Sequence, residues 1–189
     1  MKIACLLGMT LLQAQTPGPP PMLPPAVQGG LPCDARDRQP VLLGPTTREA
    51  ILAHRAVFRE VMAHAPLPEA LRKQWLAVKQ PLTLVAVFGS WCGDSQHQLP
   101  DLLALEASPN PFIEVHYLGV YRDKHLEAPS WPRGCTPQPV VRVPTFYLFA
   151  LQPGGQQKLV GTVVETPPRP GQRMAEALVE LVERGDRSQ

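Results

Sequence analysis

The chain has 189 residues, with 18 basic and 16 acidic side chains and a formal net charge of +2. Because the charge is balanced and no long basic run occurs, the sequence argues against nucleic acid as a partner. Apolar residues make up 44% of the chain, which is enough for one packed domain, but the 24 prolines exclude regular structure throughout. We therefore expect one folded domain with extensions.

The first 45 residues differ in composition from a folded domain. Residues 1–15 have a short positive start and then an apolar run, a pattern typical of a secretory signal that is too short to span a bilayer. A buried N-terminal segment is the alternative. Residues 16–45 are rich in proline and predict an extended linker or, alternatively, a proline-rich ligand for a partner protein. We expect an exported protein, periplasmic or extracellular, with no integral membrane segment in the mature chain.

Residues 46–80 show the spacing of two short helices. Thr46 and Glu49 fit a capping box, and the apolar residues that follow predict a helix that ends near Ala63. A second short helix is predicted over 71–78. We expect this helical extension to pack on the domain that follows it.

Residues 81–185 alternate between strand and helix patterns. The apolar run from Leu82 to Phe88 predicts a strand buried on both faces, and a helix is predicted over 93–107. Further strands are predicted over 112–120, 145–150 and 158–165, and a closing helix over 174–184. This order, βαβ followed by ββα, predicts an α/β fold in which the first two strands are parallel and joined by a right-handed crossover.

Cys92 lies where the first predicted strand gives way to a helix. Such a position directs the sulfur at unpaired backbone N–H groups and at the positive end of the helix dipole, and both favour the thiolate form. The Ser95 hydroxyl is expected to donate a hydrogen bond to this sulfur, whereas the Asp94 carboxylate disfavours a second negative charge. From local sequence, Cys92 is either a reactive thiol or a half-buried structural cysteine.

Two short motifs resemble signatures of the thioredoxin-like family. Residues 91–95, Trp-Cys-Gly-Asp-Ser, resemble the Trp-Cys-Gly-Pro-Cys motif, and residues 142–146, Arg-Val-Pro-Thr-Phe, resemble the cis-proline loop. The resemblance covers roughly residues 82–184. It implies a thioredoxin fold, with a central mixed sheet flanked by helices, in which Cys92 is the nucleophile and Pro144 lies beside it in the cis form.

The same resemblance implies a substrate-binding surface around the nucleophile. Its residues are Trp91, Gly93, Asp94, Val143 and Pro144. The sequence departs from the family because Ser95 replaces the second, resolving cysteine, and because Ala86 replaces a buried carboxylate found in many thioredoxins. Without that second thiol, the usual intramolecular release of a mixed disulfide is missing. Cys92 and Ser95 are therefore the candidate catalytic residues of a Cys-x-x-Ser monothiol site.

Two functional hypotheses follow. The first is an exported thioredoxin-like monothiol oxidoreductase, in which Cys92 attacks protein or small-molecule disulfides, in disulfide shuffling or deglutathionylation, and an external thiol releases the product. Its partners are protein thiols or disulfides, with a small thiol as a candidate for the release step. No metal, flavin, nucleotide or other cofactor is expected. The alternative is a redox-inactive module of the same fold that binds peptides or serves in assembly.

Three cysteines lie downstream of the expected signal, and an oxidising compartment would allow two of them to pair. Pairing of Cys33 with Cys135, which we favour, would leave Cys92 free, whereas pairing of Cys92 with Cys135 would supply a resolving partner. No stable pair is the third outcome. We interpret His97 as a surface residue and His116 as a half-buried strand residue, rather than as acid–base partners of Cys92.

Overall fold

The computed structural model of the protein describes residues 27–28 and 30–187, so the expected signal over 1–15 lies outside the described residues. Its strands are β1 (Val27–Gln28), β2 (Leu31–Pro32), β3 (Gly44–Thr46), β4 (Leu82–Phe88), β5 (Ile113–Gly119), β6 (Thr145–Leu151) and β7 (Gln157–Val164). Its α-helices are α1 (Arg48–His54), α2 (Ala56–His64), α3 (Glu69–Ala77), α4 (Gly93–Glu106) and α5 (Met174–Arg187), and a short 3-10 helix covers Ala128–Ser130. Across the described ranges, no helix has the length and apolar character needed to cross a bilayer.

Five strands form one mixed sheet in the order β3-β5-β4-β6-β7. β4 and β5 run parallel, whereas β6 pairs antiparallel with β4, and the outer strands β3 and β7 pair antiparallel with their neighbours. A parallel pair needs a crossover between its strands, and α4 provides it. The predicted α/β class and the parallel arrangement of the first two core strands are confirmed.

The hydrophobic core has two parts, one on each face of the sheet. The larger part lies between the sheet and the helices, and each of α1 to α5 contributes at least one buried side chain to it. The smaller part lies on the other face, where the segment between β5 and β6 covers the sheet with Trp131 and Cys135. Every residue of β4 is buried because this central strand is covered on both sides, which explains its continuous apolar sequence.

The helical extension differs in detail from the prediction. The single helix predicted to end near Ala63 is two helices, because Arg55 adopts an extended conformation (φ −135°, ψ 133°) between α1 and α2. The N-cap is Thr47, whose hydroxyl accepts a hydrogen bond from the Ala50 N–H at 3.2 Å, whereas Thr46 ends β3. Ile51, Phe58 and Trp75 of these helices are buried in the larger part of the core.

The described part of the predicted linker is packed against the domain. Cys33, Asp34, Val41 and Leu42 are buried, and residues 44–46 form the edge strand β3. Proline is compatible with this position, because an edge strand does not need every backbone N–H for pairing. Residues 30–45 are therefore part of the folded domain, which corrects the linker prediction for this stretch.

Candidate functional site

Cys92 is the N-cap residue of α4, directly after the turn that follows β4. Its backbone is extended (φ −91°, ψ 127°) and its side chain makes no capping hydrogen bond to the helix. The Cys92 N–H donates to the Gly89 carbonyl at 2.9 Å, and the Cys92 carbonyl accepts from the Gln96 N–H at 3.0 Å. The side chain is half-buried. The predicted position of Cys92 at a strand-to-helix junction is confirmed.

The loop before β6 meets Cys92 across the end of the sheet. The Cys92 thiol donates a hydrogen bond to the Val143 carbonyl, with 3.4 Å between Sγ and O, although the two residues are 51 positions apart. The Val143–Pro144 peptide bond is cis. Val143 and Pro144 are both buried, so this loop contacts Cys92 through its backbone. The apolar side chain of Val141, on the same loop, is exposed.

Ser95 fixes the turn that carries Cys92. Its side chain is buried in the first turn of α4, and its hydroxyl accepts a hydrogen bond from the Gly89 N–H at 3.2 Å. Among the contacts of the described residues, the expected hydrogen bond from Ser95 to Cys92 Sγ is not formed. Gly93 and Asp94 are exposed in the same turn, where the Asp94 carboxylate interacts favourably with the helix dipole.

Trp91 is held beside Cys92 by three contacts. The indole Nε1–H donates to the Val120 carbonyl at 2.9 Å, and the guanidinium carbon of Arg122 lies 4.5 Å from the ring centroid. The ring also lies against Gly89, where a Cβ atom would be only 2.7 Å from Trp91 Cε2. A residue with a side chain at position 89 would therefore displace the indole.

Arg122 is in turn held by a residue that sequence analysis did not single out. The Asp34 side chain is fully buried and accepts two hydrogen bonds from Arg122, with 2.7 Å between Nε and Oδ1 and a second, shorter contact between Nη2 and Oδ2. The guanidinium holds the pKa of the Asp34 carboxyl below its ordinary value. The pair spans 88 positions of the chain, and no local motif around either residue indicates it.

Cys33 and Cys135 are both buried. Cys33 precedes Asp34, whose carboxylate pairs with Arg122, whereas Cys135 belongs to the smaller part of the core, against which Cys92 also packs. Burial raises the pKa of the Cys135 thiol to about 11. A disulfide between Cys33 and Cys135 stays a prediction.

The two histidines considered in the sequence lie apart from the thiol. His97 is exposed on α4, and His116 is half-buried on β5, where its Nε2 lies 2.8 Å from a carboxylate oxygen of Glu114. Within residues 27–28 and 30–187, no group of histidine, cysteine and acidic side chains is arranged to hold a metal ion.

Comparisons with known proteins give little further information. No family model matches the chain, and no curated protein is significantly similar to it. Among solved structures, it is similar to an HIV epitope-scaffold protein, with 18% identity, coverage of 77% of this chain and 89% of that chain, and a TM-score of 0.46. A protein of unknown function from Pseudomonas aeruginosa gives 18% identity, coverage of 76% and 81%, and a TM-score of 0.41. Neither likeness bears on function.

Proposed function

We propose that the chain has a thioredoxin fold and is a monothiol oxidoreductase whose nucleophile is Cys92. The observation that carries the proposal is the placement of the half-buried Cys92 at the start of a 14-residue helix, with its Sγ 3.4 Å from the Val143 carbonyl beside Pro144. The side chain lies at the N-terminal end of α4, towards which the positive end of the helix dipole points. The strand order and the parallel β4–β5 pair support the same fold.

In the proposed reaction, the Cys92 thiolate attacks one sulfur of a substrate disulfide. A bond forms between Cys92 and that sulfur while the substrate S–S bond breaks, and the departing thiolate takes a proton from water. An external thiol then loses its proton and attacks the mixed disulfide, which joins this thiol to the substrate and returns Cys92 as a thiolate. Because no net electrons pass to the protein, the site is suited to disulfide shuffling or deglutathionylation.

The Val143 carbonyl can accept a different hydrogen bond in the thiol form and in the thiolate form of Cys92. In the thiol form, Cys92 donates its proton to this oxygen. A thiolate has no proton to donate, so ionisation frees the carbonyl to accept a hydrogen bond from the backbone N–H of an extended substrate. The exposed Val141 side chain offers an apolar contact on the same loop. Protein disulfides, which carry peptide N–H groups near the reacting sulfur, therefore fit the site.

The contact between Cys92 and Val143 also favours the alternative function. The Cys92 thiol is hydrogen-bonded to the Val143 carbonyl, and the Ser95 hydroxyl is bonded to Gly89 instead of the sulfur. Both features agree with a redox-inactive module that binds peptides or serves in assembly. The two proposals differ in whether Cys92 forms mixed disulfides.

Thiol trapping with the unaltered protein tests the oxidoreductase. Because Ser95 replaces the second cysteine, a mixed disulfide at Cys92 should persist until an external thiol is added. We expect partner proteins to be captured and released by dithiothreitol, none to be captured by Cys92→Ser, and capture to continue with Cys135→Ser. In a matched assay, oxidised glutathione should add one glutathione to Cys92. If Cys92 reacts with iodoacetamide but forms neither product, the oxidoreductase proposal is wrong and the binding module is favoured.

A further inference from the structure

A buried ion pair links the N-terminal segment to the candidate thiol. The Asp34 carboxylate is held by two hydrogen bonds from Arg122, and its Oδ1 also accepts the Arg36 backbone N–H at 3.3 Å. A carboxylate that accepts two bonds from one guanidinium fixes the plane of that group. Because the cost of burying two charges offsets their attraction, the intact pair adds little net stability, although removal of one partner is destabilising. The main effect of the Asp34 carboxylate is therefore that it orients the Arg122 guanidinium.

The oriented guanidinium lies against Trp91. Its carbon is 4.5 Å from the ring centroid, a distance at which a cation is attracted to the aromatic face. The indole is also fixed by its hydrogen bond to the Val120 carbonyl, and it packs closely against Gly89, which has no side chain. Gly89 in turn accepts the Cys92 N–H in the turn before α4. A series of contacts thus runs from Asp34 to the residue that carries the sulfur.

We propose that Asp34 and Arg122 are positioning residues for thiol exchange at Cys92, an inference that rests on the proposed function. Asp34 orients Arg122, Arg122 holds the Trp91 indole against Gly89, and the fixed turn directs Cys92 Sγ towards the Val143 carbonyl. Within the described part of the chain, neither residue contacts the sulfur, so their effect is on alignment. A displacement of about 1 Å at a reacting atom can lower a rate about 100-fold, so even partial loosening should be measurable.

Two reaction rates of Cys92, mixed-disulfide formation and alkylation, distinguish a change in the alignment of the sulfur from a change in its exposure. We expect the rate of mixed-disulfide formation with oxidised glutathione to fall about tenfold in both Asp34→Asn and Arg122→Ala, because the sulfur must lie in line with the S–S bond of a bulky substrate held at the site. The iodoacetamide rate should change by less than about twofold, because a small reagent needs only an exposed thiolate. In the double variant, exchange should fall no further than in the worse single variant, because residues in one contact series are not additive.

The control is Arg169→Ala, which removes a surface ion pair with Glu180 and should leave both rates unchanged. Arg122→Ala leaves a buried carboxylate without its partner, and if this variant does not fold, Asp34→Asn carries the test alone. Exchange rates within about twofold of the unaltered protein in a folded Asp34→Asn would overturn the proposal. Equal losses of exchange and alkylation would also overturn it, because they indicate lost exposure instead of lost alignment.

A spectroscopic measurement tests the positioning without relying on catalysis. The Trp91 Nε1–H resonance, identified by its loss in Trp91→Phe, should shift in Asp34→Asn and in Arg122→Ala, while the indole resonances of Trp75 and Trp131 stay in place. An unmoved Trp91 resonance in folded variants would overturn the proposal. If the unaltered protein forms no mixed disulfide, the proposed function is wrong. The Trp91 resonance alone then tests whether Asp34 and Arg122 position the indole.

Discussion

The Ser95 hydroxyl accepts a hydrogen bond from the Gly89 N–H at 3.2 Å, which ties the first turn of α4 to the end of β4. The side chain is fully buried. Ser95 is therefore close to the turn that carries Cys92 but shielded from solvent, a position from which a second sulfur could act on a mixed disulfide at Cys92.

Ser95→Cys should create or greatly raise insulin-reducing activity. A thiol at position 95 can attack the mixed disulfide within the same molecule, and intramolecular attack should raise the rate by roughly tenfold or more. The measurement is the precipitation of insulin with dithiothreitol as the electron source. Ser95→Ala, which removes the hydroxyl without adding a sulfur, is the control and should give no gain. Equal activity of the two variants would count against the proposed site.

Gly89→Ala should destabilise the protein. The added Cβ would lie 2.7 Å from Trp91 Cε2, so the indole must move, and such overpacking lowers the free energy of unfolding by about 1–3 kcal/mol. Gly93→Ala is the matched control for stability, because nothing lies within 4 Å of its added Cβ and alanine favours a helix. Urea unfolding curves give both values, and equal midpoints for the two variants would argue against the close packing of Trp91 on Gly89.

The stability contributed by Asp34 should depend on pH. Its pKa is lowered in the folded state, chiefly by the hydrogen bonds from Arg122, so this stability is present above the unfolded value of 3.8 and is lost as pH falls through the folded value. Asp34→Asn should lower the free energy of unfolding at neutral pH by about 1.5–3 kcal/mol, the range for hydrogen bonds to charged groups. This difference should shrink as pH falls below 3.8, as measured by urea unfolding at a series of pH values. A difference that is constant with pH would contradict a charged pair.

Cys135 should be much less reactive than Cys92 in the folded protein. Burial raises its pKa from 9.0 to about 11, so its thiol stays protonated at neutral pH. Iodoacetamide followed by peptide mapping should label Cys92 first, and labelling of Cys135 should accelerate only as pH approaches 11. Because the unfolded chain ionises at lower pH, the folded state should lose stability between pH 9 and pH 11. Equal labelling of both cysteines at neutral pH would show that Cys135 is accessible.

The sequence pattern was sufficient to predict the central strands. Leu82–Phe88 has the bounds expected for β4, because a strand buried on both faces leaves a continuous apolar run. The position of Cys92 follows from the same boundary, since the strand ends at Phe88 and the helix begins at Gly93. The partner of the Ser95 hydroxyl could not be predicted in this way, because it depends on how the turn folds back on Gly89.

The role of the N-terminal segment could not be predicted from the sequence. Proline obscures any periodicity in residues 30–45, and β3 is only 3 residues long. The contact between Asp34 and Arg122 joins residues 88 positions apart, so it depends on the packing of the whole domain and leaves no local pattern. Only the contacts in the folded chain connect this carboxylate to Trp91.

A shortened chain that began at α1 would keep β4 to β7 and every helix, yet it would lose β3. The outer edge of β5, which β3 covers over Tyr117–Gly119, would then present its unpaired backbone groups to solvent. Exposed strand edges pair readily with other chains, so such a fragment should self-associate. A truncation boundary placed before the first helix would therefore yield an aggregating fragment.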